Sequence, residues 1–350
     1  MSLTPFEHPY LGGLFGDADL ATLFSVETDM AAMLRFERAL AQAQSDVGII
    51  SQDVSKAIVA GIAAVSVDYD ALRRGVAQDG VVIPELIRQL RAAIGGEAAS
   101  SVHFGATSQD VIDTSLMLRL KAATDIVLTR LSTCISQLDT MEARDGTRSL
   151  MGHTRMQAAI PITVADRLAS WQQPLIRHRA RLSAFTQTGF AVQFGGAAGS
   201  LEKLGGKGAD VRAELARRLE LTDAQQWHSQ RDNIAEFGNI LSLITGSLGK
   251  IGQDIALLAQ VGTEIKLSGG GGSSAMPHKQ NPVAAETLVT LARFNAVQVS
   301  ALHQSMVHEQ ERSGAAWMLE WLVLPQMVVA TGSALLSTER LLDQIQSLGT

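Results

Sequence analysis

The sequence predicts an all-α chain, a bundle of long helices completed by further copies of itself. Two observations carry this expectation. Ile234, Phe237, Leu241, Ile244, Leu248, Ile251, Ile255 and Leu258 follow one another in alternating steps of three and four, the heptad seam of a helix packed along its whole length. A helix from Gln230 to Leu267 would span on the order of 55 Å at 1.5 Å per residue, more than a single small domain can cover on both sides. No run of residues reads as a convincing strand, and no repeat of fixed period is present.

Taken in order, residues 1–16 are rich in Gly and Pro and read as an irregular lead-in. From Ser25 the apolar residues Met30, Met33, Leu34, Phe36 and Leu40 keep a helical period that Gly48 stops. Shorter helices fit Gln52 to Val65 and Pro84 to Ile94, the second closed by Gly95-Gly96. Thr107 and Asp110 have capping-box spacing, so a helix starts near Ser108 and runs to about Glu142 on Val111, Leu118, Ile126, Leu131, Ile135 and Leu138. Thr154 and Gln157 are spaced for another cap, with a long helix from Ile162 to Phe185. Phe190 to Gly208 is glycine-rich and must turn tightly; Gly206-Lys207 is followed by Gly208, so it is no phosphate loop. In the seam helix, Gly238, Gly246, Gly249 and Gly252 imply backbones approaching closely, since each glycine costs about 1 kcal/mol against alanine. Val283 to Met306 and Trp317 to Leu342 continue the helical pattern.

With 350 residues the chain divides into an expected N-terminal helical domain, 1–100, and a central long-helix domain, 101–350. The net charge of −6 argues against a general nucleic-acid binder. Cys134 is the only cysteine, so no internal disulfide forms and a reducing compartment, the cytoplasm, is expected. No secretory signal pattern and no run of eighteen apolar residues is found, so no membrane association is expected. The histidines lack ligand spacing, and neither a metal nor a cofactor is expected.

The polar chemistry gathers in loops at helix ends. Gly269 to Pro282 reads GGGGSSAMPHKQNP. Four glycines make a mobile loop, and Asn281-Pro282 reads as an N-cap followed by proline at the first helical position. The helix N-terminus and Lys279 then form an anion site beside the hydroxyls of Ser273 and Ser274. Such a loop can exchange a proton with a negatively charged substrate; alternatively it is a Gly/Ser linker. Thr107 and Ser108 either only cap their helix or present hydroxyls to a carboxylate, with His103 close by. Arg155 is either a fork-shaped carboxylate binder or a solvated charge.

These loops resemble the fumarase/aspartase superfamily over most of the chain. GSSAMPHKQNP resembles its signature loop almost letter for letter, a highly specific match; TSQDVIDT and GHTRMQAAIP resemble its first and second loops. Gln230-Arg231-Asp232 looks like a feature of the adenylosuccinate lyases within it. The resemblance implies a homotetramer whose active sites are built from loops of three subunits. It implies removal of a proton next to a carboxylate by the first serine of the signature loop, Ser273. Lys279 and the following helix end would supply the positive charge that serine needs to ionise. Lys279, Asn281, Thr107 and Ser108 are suitable donors for the dianionic intermediate. Gln157 lies in the matching part of the second loop. His153 and His278 rank below Ser273 as proton carriers.

One departure is informative. The superfamily's second loop usually reads Thr-His-x-Gln, and its histidine serves the amine and water lyases as an acid. Here it reads Thr154-Arg155-Met156-Gln157, and arginine stays protonated. A reaction that needs no such acid is favoured, namely intramolecular lactonisation. Of the superfamily's branches, Gln193–Gly205 and His308–Pro325 resemble the 3-carboxy-cis,cis-muconate cycloisomerases of protocatechuate breakdown. That similarity places Arg312 in the site as a second carboxylate clamp; the other reading of Arg312 is a surface salt bridge on a helix. The expected substrate is a small anionic muconate, carboxylated or sulfonated. An adenylosuccinate-type amine lyase and a non-catalytic lyase-fold scaffold are the alternatives. Most members of the superfamily continue with a small C-terminal helical domain, which is expected to be either absent or cut here.

Overall fold

A computed structural model describes residues 4–272, 275–276 and 280–350. Six helices form the N-terminal layer: α1 (Gly12–Phe15), α2 (Ala18–Thr22), α3 (Val26–Asp46), α4 (Gln52–Ala64), α5 (Tyr69–Asp79) and α6 (Ile83–Ile94). Short polar side chains cap α3, α4 and α5. Ser25 accepts from the Thr28 N–H at 3.2 Å, Ser51 caps α4 and Asp68 caps α5. The lead-in is less irregular than expected, since it contains α1. The pattern also hid α5, whose only buried residue is Leu72, so it has almost no apolar face to read.

Long helices make the rest: α7 (Ser108–Asp145), α8 (Val164–Phe185), α10 (Asp232–Val261), α11 (Val283–Gln304) and α12 (Ala315–Asp343), with the shorter α9 (Gly208–Leu219) between α8 and α10. Every one of the eight seam residues on α10 is buried. The helix stops at Val261, where Gly262 takes a left-handed cap, and does not reach Leu267. Its glycines explain how closely α11 lies. A Cβ on Gly249 would meet the Ala292 Cβ at 2.5 Å, and one on Gly252 would meet the Ala285 carbonyl oxygen at 2.6 Å. Gly246 is different: nothing lies within 4 Å of a Cβ built there. Helix α12 is long and apolar enough to cross a membrane, but most of that apolar stretch is buried in this chain, as a core helix.

Contrary to the expectation of no strands, the described residues include two small antiparallel pairs. β1 (Ser149–Thr154) pairs with β2 (Gln157–Thr163), and β3 (Ile265–Leu267) pairs with β4 (Ile345–Leu348). β2 is exposed almost throughout, so no alternation of burial marks it in the sequence. Thr154 and Gln157 face each other across a hairpin turn instead of capping a helix. The cap of α8 is Thr163, which forms a capping box with Asp166.

The bundle has two ends that are far apart. Helix α7, with its 38 residues, is about 57 Å long. At its N-terminal end Asp113 meets Arg231, just before α10, and Trp317, near the start of α12. At its C-terminal end Asp145 accepts from the Leu348 N–H at 3.1 Å. Ser149 N–H bonds the Thr350 carbonyl there at 3.2 Å, and Met151 N–H bonds the Glu264 carboxylate at 2.7 Å. The first loop therefore sits at one end, and the hairpin and the base of the signature loop sit at the other.

Candidate active site

At the first end, Thr107 and Asp110 form the expected capping box at the start of α7. Asp110 does more than cap. Its buried carboxylate accepts from the Thr107, Gly195 and Gly196 N–H groups, each at 3.0 Å. It also meets His228 Nε2 at 2.8 Å and the Gln193 amide at 3.3 Å. One carboxylate thus ties the first loop, the glycine-rich loop after α8 and the segment before α10 into one surface. The glycine-rich loop turns as its composition demands, with Gly196 and Gly199 at φ 68° and 90°. The Ser108 side chain, half-buried on that surface, has no hydrogen-bond partner among the described residues.

Arg312 joins this surface from the connection between α11 and α12. Its Nε donates to Gln109 Oε1 at 3.0 Å and its Nη2 to the Ala197 carbonyl at 3.1 Å. It is not on a helix, and no carboxylate pairs with it among the described residues. The salt-bridge reading of Arg312 therefore fails, and the guanidinium lies beside the N-terminus of a long helix with uncharged partners. His103, with φ 62°, lies in the loop before α7 and turns its Nδ1 to the buried carboxylate of Glu37 at 2.6 Å. Burial works against a charge on His103, yet Glu37 outweighs it and holds the imidazole pKa above its usual value.

Beneath the surface lies an ion network. Arg231, with no exposed side-chain area, bonds Asp113 at 2.6 Å and Glu320 at 2.5 Å, and its guanidinium stacks 4.8 Å from the Trp227 ring centre. Burial disfavours its charge, but the two carboxylates raise its pKa. Burial also pushes the Glu320 carboxyl above the usual range, despite Arg231. Sequence reasoning noticed Gln230-Arg231-Asp232 without placing it, and missed Gln109, Asp113, His228 and Glu320. A carboxylate in a capping box gives no sign of its further partners, and Glu320 is one acidic residue in the mostly apolar first half of α12.

At the second end, Arg155 and Met156 form the two-residue turn of the hairpin, at φ 48° and 66°, the left-handed pair a tight hairpin needs. Arg155 and Gln157 are exposed there. Asn281 does not cap α11. It exchanges two backbone hydrogen bonds of 2.8 Å with Gly271, closing the base of the signature loop, and the helix begins at Val283 after Pro282. Proline at this boundary still fits, because its missing N–H is one the helix start would leave unbonded. A cavity of about 470 Å³ opens at this base, lined among others by Gly270, Gln280, Arg340 and Gln344. Ser273, His278 and Lys279 lie outside the described residues. Among the described residues no group of three His, Cys, Asp or Glu side chains is placed to hold a metal ion.

The structure thus brings together Thr107, Ser108, His103 and Arg312, and separately Arg155, Gln157 and Asn281. The length of α7 stands between the two sets, so they do not meet within one chain.

The lyase family pattern matches residues 18–298. The 3-carboxy-cis,cis-muconate cycloisomerase of Acinetobacter baylyi is 37% identical over 347 residues, covering 96% of this chain and 76% of that protein. The N-acetyl-S-(2-succino)cysteine lyase of Enterococcus italicus is 33% identical over 339 residues, covering 95% and 74%. The crystal structure of the 3-carboxy-cis,cis-muconate lactonizing enzyme from Pseudomonas putida superposes with a TM-score of 0.90 at 36% identity, covering 97% of this chain and 77% of that one. With its fold, its long-helix bundle and most of its length matched, the chain belongs to the lyase family of the fumarase/aspartase type.

Proposed function

We propose that the chain is a cycloisomerase that lactonises 3-carboxy-cis,cis-muconate or a close anionic analogue such as 3-sulfomuconate, working as a homotetramer. A substrate carboxylate oxygen forms a bond to an alkene carbon of the same molecule. The alkene electrons move onto the carbon next to another carboxylate, giving the aci-carboxylate dianion, and a proton then reaches that carbon. Holding the carboxylate against the alkene supplies the proximity. Arg312 and the hydroxyls of Thr107 and Ser108 come from one copy; Arg155, Gln157, and Lys279 with Asn281 come from the opposite ends of others. Lys279 and the start of α11 stabilise the dianion, and Ser273 or another group of its loop delivers the proton.

The observation that carries the reading is the Arg312 guanidinium, held by uncharged acceptors and so free to take a substrate anion. Arg155 at the hairpin tip adds a second cation where a proton-donating histidine would serve an amine lyase, which weighs against the adenylosuccinate-type alternative.

The test is an ultraviolet assay that follows loss of the diene absorbance of 3-carboxy-cis,cis-muconate. Lys279→Ala should lower kcat/KM by about 10²–10³-fold, the usual cost of a lost charge stabiliser, and Ser273→Ala should abolish turnover while the oligomer persists. Activity on adenylosuccinate instead, or turnover indifferent to both substitutions, would overturn the reading. No turnover of any of the three substrates would favour the non-catalytic scaffold. Light scattering that found a monomer at micromolar concentration would remove the tetramer.

A further inference from the structure

Arg312 is a long side chain in an irregular connection, and such a side chain loses rotamer freedom when it clamps a ligand unless something aims it beforehand. Gln109 is placed to do this. It is fully buried on the first turn of α7, and its amide nitrogen donates to Asp113 Oδ2 at 3.0 Å and to the His228 carbonyl at 2.9 Å. Both partners are acceptors only, so a flipped amide would set oxygen against oxygen. The amide has one workable orientation, and in it Oε1 faces Arg312 and accepts from Nε. Asp113 is itself fixed by Arg231 at 2.6 Å and by the Trp317 indole at 2.9 Å. The buried ion network thereby ends at a surface guanidinium.

We infer that Gln109 is a positioning residue for the anionic substrate: its locked amide aims Arg312 and leaves the guanidinium's Nη1 for a ligand carboxylate. This rests on the reading of Arg312 as a carboxylate clamp.

The test is a double-mutant cycle on the assembled full chain with Gln109→Met, which keeps length but cannot accept, and Arg312→Lys, which keeps the charge but lacks the Nε–H. Steady-state kinetics with 3-carboxy-cis,cis-muconate and calorimetric binding of tricarballylate, an inert tricarboxylate, are read side by side. Each single variant should raise KM and the tricarballylate Kd about tenfold, with kcat changed less than about threefold, the mark of lost uniform binding. The double variant should bind no worse than Arg312→Lys alone, because the contact is already gone. Losses that multiply in the double variant, or wild-type binding in Gln109→Met, overturn the inference. Should Gln109→Met not fold, Arg312→Lys is compared with Arg312→Ala: matching losses support the inference, and wild-type binding by Arg312→Lys overturns it. If the wild type turns over no muconate but binds tricarballylate with this pattern, the proposed function falls and the positioning role stands. If the wild type does not bind tricarballylate, Arg312 is no clamp and the inference falls too.

Discussion

His103 and Glu37 make the chain's stability depend on pH in a way that one substitution can isolate. The folded imidazole pKa lies above its ordinary 6.5. The stabilisation it brings is therefore complete below that value and is lost as pH rises through the raised folded pKa. Glu37→Gln should flatten that decline, read as the unfolding midpoint against pH at fixed protein concentration; an unchanged slope would place the dependence elsewhere. The Arg231 network sets a larger effect. Arg231→Met leaves Asp113 and Glu320 buried without their cation, which costs about 3–5 kcal/mol. Calorimetric melting should register it as a fall of many degrees, while Arg217→Met, in an exposed pair with Glu214, should barely move the midpoint.

Among the elements, α10 and α11 are joined where glycine permits it. Gly252→Val drives a side chain into the Ala285 carbonyl and the Leu288 Cβ, and should lower the melting midpoint strongly. Gly246→Ala meets nothing in the chain. In an isolated chain it should stabilise by about 1 kcal/mol from helix propensity alone; in a tetramer packed on that face it should be neutral or harmful. A melt of each variant against protein concentration separates the cases. Elements of this kind were legible because burial repeats with the helix period: all eight seam residues and the boundaries of α3, α7, α8 and α12 follow from it to within a few residues. What escaped the pattern had no such contrast. β2 is exposed on both faces, α5 buries one side chain, and the turn at Arg155-Met156 takes left-handed backbone without glycine. Of the candidate site, Thr107 and Ser108 were readable as loop residues of the right chemistry, and Arg312 only through the family resemblance. Gln109 and His228 were not, because their roles arise from residues more than a hundred positions away.

At the scale of the whole molecule, Leu243 on α10 and Val297 on α11 stay exposed. Leu243 and Gly246 line a groove between α8, α10 and α11 together with Ala292 and Ala296. Small residues let backbones come close, and a second long-helix copy laid there would bury this apolar area. The length of α7 then has a genetic meaning. Arg312 and Arg155 sit at opposite ends of one chain, so a chain ruined at one end still carries the other end intact. Arg312→Ala and Arg155→Ala, each with a raised KM as a pure preparation, should regain part of the proposed lactonising activity at low substrate when the two are expressed together in one cell or refolded as a mixture. Some sites in the mixed assemblies would then draw both arginines from chains that still have them. Restored turnover on mixing would show that the working unit of inheritance is the assembly; none would mean that each chain serves only its own site.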